Sequence, residues 1–311
     1  MLGGGSLVVA AMCVAPASAA EADAAAPEIV VTAAGFEQKV EQAPASISVI
    51  AREEIETIRA VSITEILANI EGVDVGESVG KSGGSTINIR GMGSDQTLIL
   101  IDGRRQNTAG SVTPNGFGET ATSFLPPVSA IERVEVVRGP VATLYGSDAI
   151  AGVVNIITRK VGDRWGGSAT GHYTLQGDGD FGAIYGGNLY LNGPLVRDLL
   201  GVALRGSYSE REQSKLQYLN LAGTPVPVTG FGPSPTKNRI WSAGGRLSLT
   251  PHVDHDLWLD VEFGDQWYDN SSGQMGTNTV AGGYADALEF KRQQYVLAHN
   301  WGQDPLIRAR R

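Results

Sequence analysis

Gly76-Glu77-Ser78-Val79-Gly80-Lys81-Ser82 sets a lysine and a hydroxyl directly after a second glycine. In that order a phosphate-binding loop wraps backbone amides around a phosphate and reaches its outer oxygens with the lysine. The glycine spacing falls one residue short of that motif, and Gly83-Gly84-Ser85 does not open a helix, so the segment reads as a polar, Lys-bearing loop. His252 and His255 have a spacing that suits a metal, but no third ligand lies nearby in sequence and they read as solvated turn residues. No Ser/His/Asp, Cys/His or paired-carboxylate cluster is legible. These residues therefore point to no catalysis, and neither a cofactor nor a resident metal is expected.

Composition narrows what could be bound. Against 24 Lys and Arg stand 33 Asp and Glu, a net charge of -9, which leaves no basic stripe for nucleic acid. An anionic ligand is admissible only where basic residues gather locally, as at Lys81, Arg104 and Arg105. Arg90 and Arg138 each end a strand pattern beside a glycine, where a buried charge is tolerable only if paired.

Several kinds of element must position these residues. Residues 1–20 read as a signal peptide: a short apolar run from Leu7 to Val14 precedes the small-residue stretch Ala15-Pro16-Ala17-Ser18-Ala19-Ala20. No Lys or Arg precedes Lys39, so the positive n-region is missing and the true start is expected to lie elsewhere; Cys13 would leave with the signal. Glu28, Ile29, Val30, Val31, Thr32 and Ala33 form a strand-prone island that pairs well only if a sheet edge is supplied. Strands are expected over 43–50, 86–90 and 97–101, with Asp102-Gly103 as a hairpin turn. Helices are expected over 52–58 and 62–70, the second capped by Ser62 with Glu65 in capping-box position.

The strongest local pattern is IERVEVVRGPVATLYGSDAIAGVVNIITRK, residues 131–160, in which two strand runs bracket a turn set by Gly139, Pro140, Gly146 and Gly152. After it come period-two segments near 167–176, 183–192, 200–211, 241–249, 257–264 and 289–301. Trp241, Ala243, Gly245, Leu247 and Leu249 alternate with Ser242, Gly244, Arg246 and Ser248, and Leu257, Leu259, Val261 and Phe263 with Trp258, Asp260, Glu262 and Gly264. Short connections at 192–198 and 251–256 alternate with long ones at 212–238 and 269–288, the asymmetry of an outer-membrane barrel.

The 131–160 segment resembles the end of the plug domain of TonB-dependent outer-membrane receptors, through Arg138-Gly139-Pro140, Leu144-Tyr145-Gly146, Ala149, Gly152-Val153-Val154-Asn155 and Ile156. Together with APASISVI and LILIDGRR it looks closest to the colicin I receptor and other catecholate-siderophore receptors. The resemblance implies an α+β plug followed by the first strands of an antiparallel transmembrane barrel, about six of an expected 22 or so. Its parts would be a TonB-box segment at 21–36, a plug at 37–160 and a partial barrel at 161–311, in the outer membrane.

It further implies import of a ferric siderophore by TonB-transmitted force, with a receptor for vitamin B12 or haem as the alternative and an exported enzyme as a remote one. The implied partners are TonB, the ferric siderophore, outer-membrane lipid and a colicin, with no nucleic acid. Residues 28–33 would be the TonB box. Lys81, Ser82, Arg104, Arg105, Asn107, Thr113, Asn115 and Phe117 would touch ligand from plug loops. Arg90 and Arg138 would bridge to barrel glutamates beyond this chain's strands and be left orphaned here. The basic, unpatterned 302–311 would mark a truncated or frameshifted gene.

Overall fold

The computed structural model describes residues 46–58, 60, 62–75, 85–106, 120–141, 145–175, 177, 180–227, 235–252 and 254–301, with two short backbone pairings before them. Those pairings join β1 (Val30–Val31) to β2 (Gln38–Lys39), antiparallel. The next elements are β3 (Ser46–Ala51), α1 (Arg52–Ile58), α2 (Ile63–Leu67), β4 (Val73–Asp74), β5 (Asn88–Ile89), β6 (Thr97–Ile101) and β7 (Arg104–Arg105). Then come α3 (Thr120–Ser123), β8 (Ile131–Arg138) and β9 (Gly152–Thr158).

Five of these strands form one mixed sheet in the order β3-β8-β9-β6-β7, with β6 and β9 parallel and the other pairs antiparallel. The alternation of IERVEVV suggests one wet face, but β8 is a central strand covered on both sides. Ile131, Val134, Val136, Val154 and Ile156 pack with Ile55, Ile63, Ile66 and Leu67 of the helices on one face. Val137 and Val153 pack with Leu98, Leu100 and Ala149 on the other. Between them Glu135 is fully buried, receiving hydrogen bonds from Arg133 Nε at 2.9 Å and Asn155 Nδ2 at 3.2 Å. That pairing makes a buried carboxylate tolerable.

Local signals act as expected at α2, where Ser62 Oγ accepts the Glu65 N–H at 3.4 Å. The helix ends at Leu67 rather than 70, in turns that close on Gly72 at φ 76°. The strand expected over 86–90 shrinks to Asn88–Ile89. Arg90 (φ 54°) and Gly91 (φ 74°) both adopt the left-handed region, and no ladder continues through that geometry.

The second sheet has six antiparallel strands in sequence order: β10 (Gly166–Thr174), β11 (Ile184–Val196), β12 (Leu200–Arg211), β15 (Asn238–His252), β16 (His255–Asp269) and β17 (Ala287–Trp301). A small hairpin, β13 (Gln217–Leu219) with β14 (Pro225–Pro227), sits in the long connection between β12 and β15. All six meander strands were legible in the period-two pattern. Most run longer than the apolar alternation because the ladder carries on through polar residues; the first short turn is reduced to 197–199. Among the described residues the sheet does not close, since β10 and β17 are its two edges. The alternation has a clear spatial meaning. Leu247, Leu249, Leu259 and Phe263 are exposed on one face, and Ser242, Asp260 and Glu262 are buried on the other, against the first sheet.

Candidate functional site

Two sheets from one chain meet across a seam that is polar at its centre and apolar at its ends. The centre is built from the Asp102-Gly103 turn between β6 and β7. Both residues have positive φ, 50° and 74°, as a two-residue hairpin loop of mirror type requires. Asn155 Oδ1 accepts the Gly103 N–H at 3.0 Å, so the buried β8–β9 polar pair also pins this turn. Thr158, at the end of β9, donates its N–H to Asp102 Oδ1 at 2.8 Å and its hydroxyl to Oδ2 at 2.8 Å. The carboxylate is thereby aimed at the wall.

Facing it are side chains from β12, β15, β16 and β17. Arg246 donates from Nη2 to Asp102 at 2.5 Å, from Nη1 to Thr158 Oγ1 at 3.0 Å and from Nε to Asp260 at 2.8 Å. Arg205 reaches Asp260 at 2.6 Å and Glu262 at 2.8 Å. Arg292 pairs with Glu262 at 3.2 Å and donates to Gln106 Oε1 at 2.7 Å. Guanidinium and carboxylate groups thus alternate along the inner wall, and the first sheet enters the chain through Asp102 and Gln106. Trp258 carries two guanidiniums on its ring, Arg104 from β7 at 3.9 Å and Arg246 from the wall at 4.6 Å. Burial lowers the Arg104 pKa from its ordinary value, against the opposing pull of Asp102. A small crevice lined by Asp102, Arg104, Thr158, Arg205, Arg246 and Asp260 opens between the two sheets.

An apolar peg lies above the charges. Phe124, 1 % exposed, sits over Gly264 of β16, where a Cβ would come within 2.5 Å of its ring, and stacks 6.4 Å from Phe290 of β17. A buried phenylalanine of this kind contributes about 3–5 kcal/mol relative to alanine. Phe124→Ala is therefore expected to loosen the docked domain by about that amount without unfolding either sheet. Faster hydrogen exchange over 120–130, with unchanged exchange in β15 and β16, would report it. At the other end Ala130 packs with Tyr190 and Ala203, where β11 and β12 receive the segment leading into β8.

The residues expected at functional positions fall into three groups. Lys81, Ser82, Asn107, Thr113, Asn115 and Phe117, with Glu28, Ile29, Thr32 and Ala33, lie outside the described residues. Arg105 is drawn to the first domain itself, donating to Asp148 at 2.5 Å and to the Tyr145 carbonyl, and Arg104 lies in the seam on Trp258. Arg90 and Arg138 come together around Gly72, with Arg90 Cγ and Arg138 Cδ each 3.9 Å from where its Cβ would lie. Arg138 is not orphaned: it donates to the Glu71 carbonyl at 2.5 Å and to Ser48 Oγ at 2.8 Å. Among the described residues, the ion pair from the first domain to the wall is made by Asp102 with Arg246 instead. Sequence reasoning missed this set. Its signal was the run of charge confined to one phase of the alternation: Arg205, Arg246, Asp260 and Glu262.

His255 likewise has an unforeseen partner, since its Nδ1 lies 3.0 Å from His299 Nε2. The ring centroids are 5.2 Å apart with 7° between planes. With the nitrogens that close, the rings lie edge to edge in a shared hydrogen bond.

A small mixed domain seated on the inner face of an unclosed antiparallel meander defines a plug with the beginning of its barrel. Residues 39–153 match the TonB-dependent Receptor Plug Domain and form a plug of that family, and the chain as a whole is similar to TonB-dependent siderophore receptors. It is 35% identical, over 94% of its length, to the iron-regulated outer membrane virulence protein of Vibrio cholerae, and spans 42% of that protein. It is 34% identical, over 85% of its length, to the ferric enterobactin receptor PirA of Pseudomonas aeruginosa, and spans 37% of it. The crystal structure of the siderophore receptor PirA from Acinetobacter baumannii superposes with a TM-score of 0.65 at 28% identity, covering 84% of this chain and 38% of that one. The chain thus spans about two fifths of these proteins.

Proposed function

We propose that this chain is the plug-bearing part of an outer-membrane receptor that takes up a ferric siderophore of the catecholate class with energy supplied through TonB. The observation that carries the proposal is the nature of the seam. A separately folded domain sits against the inner wall on alternating charges and hydrogen bonds, with little apolar surface at the centre. Polar contacts at the seam can be replaced by water or by neighbours on the same side, whereas a continuous apolar seam could not, so the domain can be displaced and reseated. The outer face, with Leu189, Leu204, Leu247, Leu259, Phe263 and Leu297 exposed, fits hydrocarbon. The relative named as a ferric enterobactin receptor supports the catecholate reading of the chelate class.

Within this reading residues 1–20 direct export and residues 28–33 are the TonB-binding strand. Lys81, Ser82, Arg105, Asn107, Thr113, Asn115 and Phe117 line the ligand side of the plug, while Arg90 and Arg138 seat it against barrel carboxylates outside this chain. The test is a titration of the purified protein in detergent with a ferric tris-catecholate, read as quenching of tryptophan fluorescence. Saturable quenching is expected, with no competition from haem or cobalamin. Absence of saturation, or equal competition by either, would overturn the siderophore assignment.

A further inference from the structure

We propose that Asp102 and Arg246 form a releasable clasp between plug and wall, with a fallback partner already in place on each side. Each of the two groups divides its hydrogen bonds between plug and wall or within its own side. Arg246 divides its guanidinium between Asp102 on the plug (Nη2, 2.5 Å) and Asp260 on the wall (Nε, 2.8 Å). Asp102 divides its carboxylate between Arg246 and the plug's own Thr158, whose N–H and hydroxyl both donate to it, with Arg104 Nη2 held in reserve at 4.0 Å.

Separating a buried pair ordinarily strands a charge, which makes such a contact a poor moving part. Here neither side is stranded. When the Asp102-Gly103 turn leaves the wall, Arg246 keeps Asp260, Arg205 keeps Asp260 and Glu262, and Arg292 keeps Glu262. Asp102 keeps Thr158, and Arg104, freed from the Trp258 ring, can close on it. The turn's positive φ values at Asp102 and Gly103 and the Asn155 bond to Gly103 N–H hold the carboxylate in place whether the clasp is open or shut. Asp102, Arg246 and Asp260 are positioning residues: they set how readily the plug parts from the wall.

The proposal makes two substitutions of the same kind act in opposite directions. Asp102→Asn weakens the clasp itself, whereas Asp260→Asn removes the wall's fallback and leaves Asp102 as the carboxylate paired with Arg246 among the described residues. The measurement is hydrogen exchange of the β6–β7 amides in the folded chain in detergent micelles, with the β8–β9 amides as internal reference. For Asp102→Asn, exchange at 100–106 should rise about tenfold, and for Asp260→Asn it should fall below the unsubstituted protein. If Asp260→Asn speeds exchange as well, the network is a purely structural support and the clasp is wrong; no change in either variant would equally overturn it. No ligand enters the measurement, so its failure would leave the siderophore reading untouched.

Discussion

Gly152→Val is expected to destabilise the plug sheet strongly while leaving the wall strands paired. Gly152 opens β9, the strand that lies between β8 and β6, and stands in register with Arg138 and Thr97. A Cβ at this position would lie 2.2 Å from the Val137 carbonyl oxygen and 3.0 Å from Ile89 Cδ1. The first obstacle is backbone inside a ladder, so relief requires β8 and β9 to part, with loss of the Arg138–Gly152 end of their pairing. Overpacking alone costs about 1–3 kcal/mol, and the added loss of ladder hydrogen bonds and of the Val137–Val153 packing puts the total at the upper end or above. The check is the urea midpoint of the plug, followed by exchange protection at β8 and β9. Gly171→Ala serves as control, since a Cβ there meets nothing nearer than 3.8 Å. An unchanged midpoint for Gly152→Val would mean that β8 and β9 can separate locally at no cost.

Much of this architecture is written in short-range pattern. Ser62 with Glu65, the Asp102-Gly103 pair and the period-two wall strands each announce themselves within a few residues, because capping, turn geometry and pleat alternation are local physics. The hairpin at 217–227 was hidden by Pro225 and Pro227, residues that argue against a strand; a two-stranded ribbon tolerates them because one side of each strand is free. Its turn is set by Asn220, whose Oδ1 accepts the N–H groups of Ala222 and Thr224.

The site was far less legible than the fold. Arg246 and Asp102 lie 144 residues apart and Arg292 and Gln106 186 apart, so no window along the chain contains a donor and its acceptor. The alternation gave the phase of Arg246, Asp260 and Glu262, inward, without saying what they would meet. Arg138 shows the converse. Its place beside Gly139 suggested a charge awaiting a distant partner, yet the Glu71 carbonyl and Ser48 hydroxyl satisfy much of it within the plug. A guanidinium offers five donors, and carbonyls and hydroxyls serve where carboxylates were sought.

On the proposed function, deleting residues 28–33 is expected to abolish energised uptake of the ferric chelate by the receptor while leaving its binding constant unchanged. The backbone supplies the reason. Within this segment β1, Val30–Val31, pairs antiparallel among the described residues with β2, Gln38–Lys39, a two-residue match outside the five-stranded plug sheet. An isolated two-stranded pairing is marginally stable in water, so a partner offering a longer sheet edge competes for β1 at little cost. Force applied there would reach β3 next along the chain, which among the described residues is an edge strand paired with β8. Cells dependent on this receptor for iron would stop growing on the ferric siderophore, and surface binding of the labelled chelate would match the undeleted receptor. Substituting proline at Val30 should reproduce the defect, because it removes a backbone donor and leaves chain length intact. Uptake that persists in the deletion variant would place the point of force transmission elsewhere in the plug. Uptake and binding lost together would show instead that residues 28–33 help to shape the ligand site.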